Sequence, residues 1–133
     1  MKWKTETRKG GAEIYVECEN RSIFVGEGYS MLEYGESMVL ASVIEKALNK
    51  QIELEASSSQ FYLSMASWTE TKGLSGSSSF LYHHSDEERQ HMLKLVKFIN
   101  ERGGTALIPA LIQPPKTFKS LTHVFGVVQG ISY

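Results

Sequence analysis

Apolar residues recur with helical spacing in two long stretches of the chain, at residues 44–68 and 81–99. In the first stretch, one set of residues is spaced alternately four and three apart, which places the set along one helix face. Its members are Ile44, Leu48, Gln51, Glu55, Ser58, Tyr62 and Met65. Beside this face, Ala47, Leu54, Phe61 and Trp68 recur every seven positions. This pattern predicts the inward side of a bundle helix, so Glu55 is expected to point into the interior.

The second stretch forms a similar stripe, flanked by Met92 and Val96. Its members are Leu81, His84, Glu88, His91, Leu95 and Ile99. Glu88 and His91 are therefore expected to face inward, one helical turn apart. An unpaired carboxylate in a helical core is destabilising by roughly several kcal/mol. A cation between two such carboxylates and an imidazole explains their presence best, so Glu55, Glu88 and His91 are candidate metal ligands.

Helix signals bound these stretches. The first helix is expected from about residue 38 to 71, closed by Gly73 in a left-handed turn. The second is expected over residues 75–102, with Ser75 as its N-cap and Gly103 after its end. The connection between the helices is short, so they are predicted to be antiparallel neighbours.

The C-terminal part of the chain predicts a long irregular link and the start of a third helix. All three prolines lie within residues 103–119, and proline does not continue a helix. The apolar content of this link predicts that it packs along the bundle. Ser120 is the expected N-cap of a helix over residues 120–133, which Gly126 and Gly130 are expected to stop.

Residues 1–37 show no helical stripe. Ile14, Val16 and Cys18 alternate with other residues, and Asn20 and Arg21 precede a second short β-forming run. This segment is predicted to be a short β-hairpin or to be disordered.

Composition narrows the classes of function. The 133 residues suffice for one domain, and the formal net charge of −1 without a basic stripe argues against nucleic acid or an anionic membrane as a partner. A single cysteine, Cys18, excludes a disulfide within the chain, and the first thirty residues lack a secretory signal. A cytoplasmic location is therefore predicted, with Cys18 in neither a catalytic nor a zinc-binding role.

Several motifs together resemble bacterial non-haem ferritin from Met38 to about Phe125. Residues 44–55 and 58–62 resemble its first helix, residues 80–95 its second, and residues 99–104, 108–110 and 113–115 the crossover that follows. In ferritin-like proteins, a Glu from one helix and a Glu-x-x-His motif from the next supply half of the ligands of a di-iron site. The resemblance implies an all-α fold over residues 38–133, the first half of a four-helix bundle. Residues 1–37 have no counterpart, so Met38 is the expected natural start.

The resemblance also implies roles for individual residues. Glu88 would bridge two irons, Glu55 and His91 would complete the shell of the first iron, and Tyr62 would hydrogen-bond beside the di-iron centre. Without the resemblance, the three polar residues are equally compatible with solvated positions or a buried ion pair, and Tyr62 with an amphipathic core residue. His84 is interpreted as a packing or hydrogen-bonding residue, and Glu87 is expected to face outward.

The implied family function is iron storage, in which dioxygen or peroxide oxidises Fe(II) and the ferric product is stored as mineral inside a cage of subunits. The chain departs from the family near its C-terminus, where the third-helix carboxylate position falls on Ser132. The chain therefore resembles a truncated ferritin that carries half of the site, and ferroxidase activity is an open question. Two hairpins could dimerise to complete the ligand set. The alternatives are a non-catalytic metal-binding or interaction hairpin, and a helical module whose acids are merely paired.

Overall fold

The computed structural model describes residues 2–8, 11–18, 21–27, 40 and 42–131. Met38 and Ser132, which the sequence singled out, lie outside these residues. Contacts within the chain divide it into two compact units. One comprises Met1–Gln51 and Leu95–Leu107, and the other comprises Ile52–Lys94 and Ile108–Tyr133.

The N-terminal strands form an antiparallel sheet in the order β1-β2-β3, with β1 at Lys2–Arg8, β2 at Gly11–Cys18 and β3 at Arg21–Glu27. The predicted hairpin is confirmed as β2 and β3, in which Val16 is opposite Ile23, and the register shifts between Ile14 and Tyr15. Strand β1 was not predicted. Its sequence alternates Trp and Thr with charged residues, so it lacks the apolar run that identifies the other two strands.

Helix α1 covers Ser42–Thr71, a stretch without Gly or Pro. The predicted end at residue 71 is confirmed, but the predicted start is too early. Leu40 is not helical, and its backbone N–H donates to the carbonyl of Arg102 at 3.4 Å. The apolar pattern begins before the helix because Leu40 is buried without being part of it.

Helix α2 covers Ser75–Glu101, within one residue of the prediction. Ser75 is the first helical residue rather than the N-cap, because the carbonyl of Leu74 accepts the first helical bond, from Ser78 N–H at 2.9 Å.

Both long helices end in a Schellman motif. Gly73 has φ 73°, and the next residue, Leu74, donates its N–H to the carbonyl of Thr69 at 3.1 Å. Gly103 has φ 74°, and Gly104 donates to the carbonyl of Ile99 at 3.0 Å. Gly73 and Gly103 therefore end α1 and α2 in left-handed turns, as the sequence predicted.

The crossover after α2 has no regular structure, and hydrogen bonds attach it to α1. In the first unit, Asn49 Nδ2 donates to the Thr105 carbonyl at 3.0 Å, and Leu107 N–H donates to Asn49 Oδ1 at 2.7 Å. In the second unit, Ser64 Oγ donates to the carbonyl of Pro115. In each unit, the backbone of the link is therefore hydrogen-bonded to α1. Its apolar side chains were also predicted to pack, but Ile112 is 91% exposed.

Helix α3 covers Leu121–Ile131. The predicted N-cap is confirmed, because Ser120 Oγ accepts from the N–H of His123 at 3.1 Å. Gly126 does not stop the helix, contrary to expectation, because a single glycine weakens a helix by only about 1 kcal/mol. Val124 is fully buried in the core of the second unit. The buried members of this core are Tyr62, Met65, Ala66, Leu81, Phe118 and Val124.

Among the described residues, none of the helices combines the length and the apolar character that a membrane span requires.

Candidate metal centre

The candidate ligands lie where α1 and α2 pack side by side within the second unit. Contacts between the two helices pair Glu55 with His91, Ser59 with Ser85, and Glu70 with Tyr82. Residue numbers rise along α1 as they fall along α2, so this part of the hairpin is antiparallel, as predicted. Glu55 therefore lies opposite the turn of α2 that carries both Glu88 and His91.

The three side chains converge on one small buried space. His91 Nδ1 is 3.5 Å from Glu55 Oε2 and also 3.5 Å from Glu88 Oε2. Ligand atoms of all three residues lie within 4.8 Å of one another. Both carboxylates are only 2% exposed, and the His91 side chain is 14% exposed. The structure thus brings together the three residues that the two helical stripes singled out.

This donor set fits a divalent metal ion. The distances of 3.5 Å from His91 Nδ1 exceed the usual 2.7–3.2 Å range of N–H···O hydrogen bonds. Two ligand atoms bonded to one ion at about 2.0–2.2 Å lie at most about 4.4 Å apart, which is close to the observed spacing. Carboxylate oxygen and imidazole nitrogen suit first-row divalent metals. Two ionised carboxylates buried this close to each other repel, and a cation between them would offset that repulsion.

Tyr62 lies two turns beyond Glu55 on the same face of α1 and is buried. Its ring stacks on the imidazole of His84, with the centroids 5.3 Å apart and the planes inclined by 23°. Phe80 contacts the same imidazole edge-on, with the ring centroids 4.3 Å apart. Tyr62 is thus a core residue stacked on His84, and it is not among the three clustered ligands.

His84 and Glu87 lie at the edge of this region. His84 Nδ1 is 2.9 Å from one carboxylate oxygen of Glu87, and His83 Nε2 is 3.3 Å from the other. The Glu87 side chain is 45% exposed. The predictions that His84 packs and hydrogen-bonds, and that Glu87 faces outward, are confirmed.

The burial along α1 corrects one detail of the sequence interpretation. The seven-residue series of Ala47, Leu54, Phe61 and Trp68 was predicted to lie inward beside Glu55, but all four residues are only partly buried. Of these, Trp68 packs against the core of the second unit. The buried flank carries Ile52, Ala56, Ser59 and Ala66 instead. Small residues predominate there because α2 packs closely against that side.

Two residues near the ligands were missed by sequence reasoning. Ser59 and Ser85 are buried and bond to each other across the helices, with each hydroxyl donating to the other residue's main-chain carbonyl at 2.8 Å. Ser59 is the last of three consecutive serines inside a helical pattern, a run that indicates a close helix approach but does not identify the partner.

Comparison with known proteins agrees with this geometry. The family model described as "Ferritin: Ferritin-like domain" matches residues 45–128. A probable bacterial non-heme ferritin-like protein of Haemophilus influenzae is 42% identical over 86 residues, which are 65% of this chain and 52% of that protein. A bacterial non-heme ferritin of Campylobacter jejuni is 38% identical over 87 residues, with the same coverage of 65% and 52%. The chain spans about half the length of these curated relatives.

Solved structures give the same family. An open pore ferritin from the archaeon Archaeoglobus fulgidus superimposes with a TM-score of 0.66 at 35% identity, covering 69% of this chain and 57% of that one. A ferritin of Chlorobium tepidum also gives a TM-score of 0.66 at 35% identity, covering 69% and 56%. Because the family model matches more than half of the residues of this chain, the chain belongs to the ferritin-like domain family.

Proposed function

We propose that this chain is an iron storage protein of the ferritin type, which binds Fe(II), oxidises it to Fe(III) and stores the ferric product as mineral. The observation that carries the proposal is the buried cluster of Glu55, Glu88 and His91 in a chain of the ferritin-like family. We also propose that residues 38–133 form the partial ferritin-like domain and residues 1–37 an unrelated extension. A cytoplasmic location belongs to the same proposal.

In this proposal Fe(II) is a substrate held by the three side chains. Glu55 and His91 bind one iron, and Glu88 bridges it to a second. Carboxylate and imidazole ligands suit iron, and three protein ligands leave positions open for an oxidant. Two Fe(II) ions would together supply two electrons, which with two protons reduce dioxygen to hydrogen peroxide or hydrogen peroxide to water. The two buried carboxylates then stabilise the higher charge of Fe(III) in a space that little water enters.

Tyr62 is assigned a supporting role beside the metal centre. It lies on the face of α1 that carries Glu55, and its stacking on His84 holds its ring in place. We propose that its hydroxyl group hydrogen-bonds near the bound iron.

A second copy of the chain is the proposed source of the remaining ligands. Two hairpins related by two-fold symmetry would bring together four carboxylates and two imidazoles, the symmetric ligand set of di-iron helical bundles. Such a homo-oligomer is either a dimer of hairpins or part of a ferritin cage. Its formation would also cover apolar surface of α1 and α3 that is exposed in the single chain.

Fe(II) oxidation in air by the purified chain tests the function, with ferric absorbance as the readout. We expect turnover above buffer, and a loss of at least about 100-fold in Glu88→Gln, because this substitution keeps the size of the side chain and removes the charged ligand. Glu101→Gln, which alters an exposed carboxylate at the end of the same helix, is the matched control and should oxidise iron as the parent does. Turnover that survives in Glu88→Gln would contradict the proposal.

A non-catalytic metal-binding or interaction hairpin, assembling with itself or with full ferritin subunits, is the second candidate. It is favoured by the ligand count, since one cluster of three metal-ligating residues is found among the described residues. In this case the chain would bind iron, and Glu88→Gln would abolish binding, but oxidation would not exceed that in buffer.

A further inference from the structure

Ser59 and Ser85 make an unusual use of helical hydroxyl groups. Serine and threonine inside helices commonly bond back to their own helix. Thr69, Thr71 and Ser78 do so, each donating to a carbonyl three or four residues earlier. Ser59 and Ser85 instead reach across to the opposite helix, where both hydrogen bonds measure 2.8 Å.

The geometry of this pair, here called the serine clasp, fixes how α1 and α2 meet. The two hydroxyl oxygens are 3.2 Å apart, and each donates to the other residue's backbone. Such reciprocal bonds require the two backbones to approach closely, which only small side chains at the contact permit. A slide of either helix by a fraction of a turn would break both bonds, so the clasp sets the separation and the register of the helices.

The clasp lies one turn from the candidate ligands on both helices. Ser59 follows Glu55 by four residues and Ser85 precedes Glu88 by three, and these spacings place each serine on the ligand's face of its helix. The ligand atoms at the next turn lie within 4.8 Å of one another, although two of the three groups are carboxylates. Repulsion between these groups favours separation of the helices at that turn, and the clasp opposes it.

We propose that Ser59 and Ser85 are positioning residues for metal binding, because the serine clasp holds Glu55 opposite Glu88 and His91 before an ion arrives. Ligands held in place in advance bind more tightly, since binding does not have to bring them together. The inference rests on the proposed metal-binding function and adds the residues that preorganise the site.

Co(II) titration of the full chain tests the proposal, because its visible d–d bands report both affinity and coordination geometry. The variant Ser59→Ala/Ser85→Ala removes the two inter-helix bonds and keeps small residues at the contact. We expect it to bind Co(II) about 10- to 100-fold more weakly than the parent chain, with altered d–d bands. A merely structural role would lower the unfolding midpoint without changing the bands.

Ser78→Ala is the matched control. It removes another buried serine hydroxyl from α2, but one whose hydrogen bond stays within that helix. Its Co(II) affinity and spectrum should equal those of the parent. The single variants Ser59→Ala and Ser85→Ala keep one clasp bond each, so intermediate affinities are expected even if the double variant does not fold, as followed by circular dichroism.

The outcomes separate this inference from the proposed function. If the parent and the clasp variants bind Co(II) equally tightly with the same bands, the positioning role is wrong and the metal site stands. If the parent itself binds no Co(II), the metal-binding function is wrong and the positioning role falls with it.

Discussion

The two flanks of α1 meet very different surroundings within the second unit. On the side that meets α2, Ser59 bonds directly to Ser85, and the neighbouring Ala56 and Ala66 are buried. On the side that meets α3, a groove of about 500 Å³ remains open. Its lining residues are Leu54, Ser57, Ser58, Phe61, Val127, Gly130 and Ile131.

This difference explains why the metal ligands come together within one chain. Glu88 and His91, which cluster with Glu55, belong to the closely packed side, where hydrogen bonds between the helices supplement apolar packing. The groove side offers partly exposed apolar side chains, and the clustered candidate ligands include no residue from the described part of α3. A second copy, as proposed above, would add its own ligands and cover such a surface.

The largest expected effect contrasts two residues of α1. Met65 is fully buried in the core of the second unit, whereas Leu54 lines the groove and is partly exposed. Met65→Ala should lower the free energy of unfolding by about 2–5 kcal/mol, because it leaves a cavity. Leu54→Ala should lower it by less than about 1.5 kcal/mol, because part of the side chain already contacts water. Urea unfolding followed by circular dichroism measures both, and equal losses would contradict the difference between the flanks.

Alanine substitutions at two glycines are expected to change the free energy of unfolding in opposite directions. Gly73, which joins α1 to α2, has a left-handed φ of 73°. Gly126 lies inside α3. Apart from its own helix backbone and its two chain neighbours, no atom of the described residues lies within 4 Å of the position that a Cβ atom would take there. Gly73→Ala should destabilise the chain by about 1–2 kcal/mol through backbone strain alone. Gly126→Ala should stabilise it by about 0.5–1 kcal/mol, because alanine restricts the unfolded chain and fits a helix.

Thermal unfolding of the two glycine variants beside the parent gives the signs directly. A rise in the melting temperature for Gly73→Ala would contradict the assignment of the turn between α1 and α2. A fall for Gly126→Ala would show that α3 packs more tightly than the open groove indicates.

The smallest effect concerns a surface contact between α1 and α2. The Tyr82 hydroxyl donates to a carboxylate oxygen of Glu70 at 2.7 Å, and this bond, with smaller effects of desolvation and of the Glu70 charge, raises the pKa of Tyr82 above its usual value of 10.0. Because the folded-state pKa is the higher one, the contact stabilises the fold fully below pH 10 and is lost as the pH rises through the raised pKa.

Tyr82→Phe should therefore leave stability near neutral pH almost unchanged, since the contact is exposed. It should also remove from a spectrophotometric titration one tyrosine transition that lies above the usual pKa of 10.0. If the variant loses a tyrosine that titrates at an ordinary pKa, the hydrogen bond to Glu70 does not form in solution.

Sequence reasoning predicted the helical hairpin well because its signals were redundant. Spacing, helix-ending glycines and family motifs all placed Glu55, Glu88 and His91 on facing turns. It failed where a single local rule was used alone. Gly126 was expected to stop α3, but one glycine is outweighed by the apolar packing of Val124 in the core.

The pairing of Ser59 with Ser85 was not predictable from local pattern. A helical serine bonds to its own helix in most contexts, and only the distance between the two helices decides otherwise. Similarly, the flank of α1 that α2 covers depends on the rotation of the helices about their axes. The seven-residue spacing of Leu54 and Phe61 did not specify this rotation, because residues on both sides of the inner stripe share helical periodicity.

Titration of the full chain with Fe(II) in the absence of oxygen tests the central claim most directly, because it counts bound iron without requiring turnover. We predict about one Fe(II) per chain, or two per pair of chains, and at least about 100-fold weaker binding in Glu88→Gln. Binding of no more than one iron per two chains, or equal binding by Glu88→Gln, would contradict the claim that Glu55, Glu88 and His91 hold the metal.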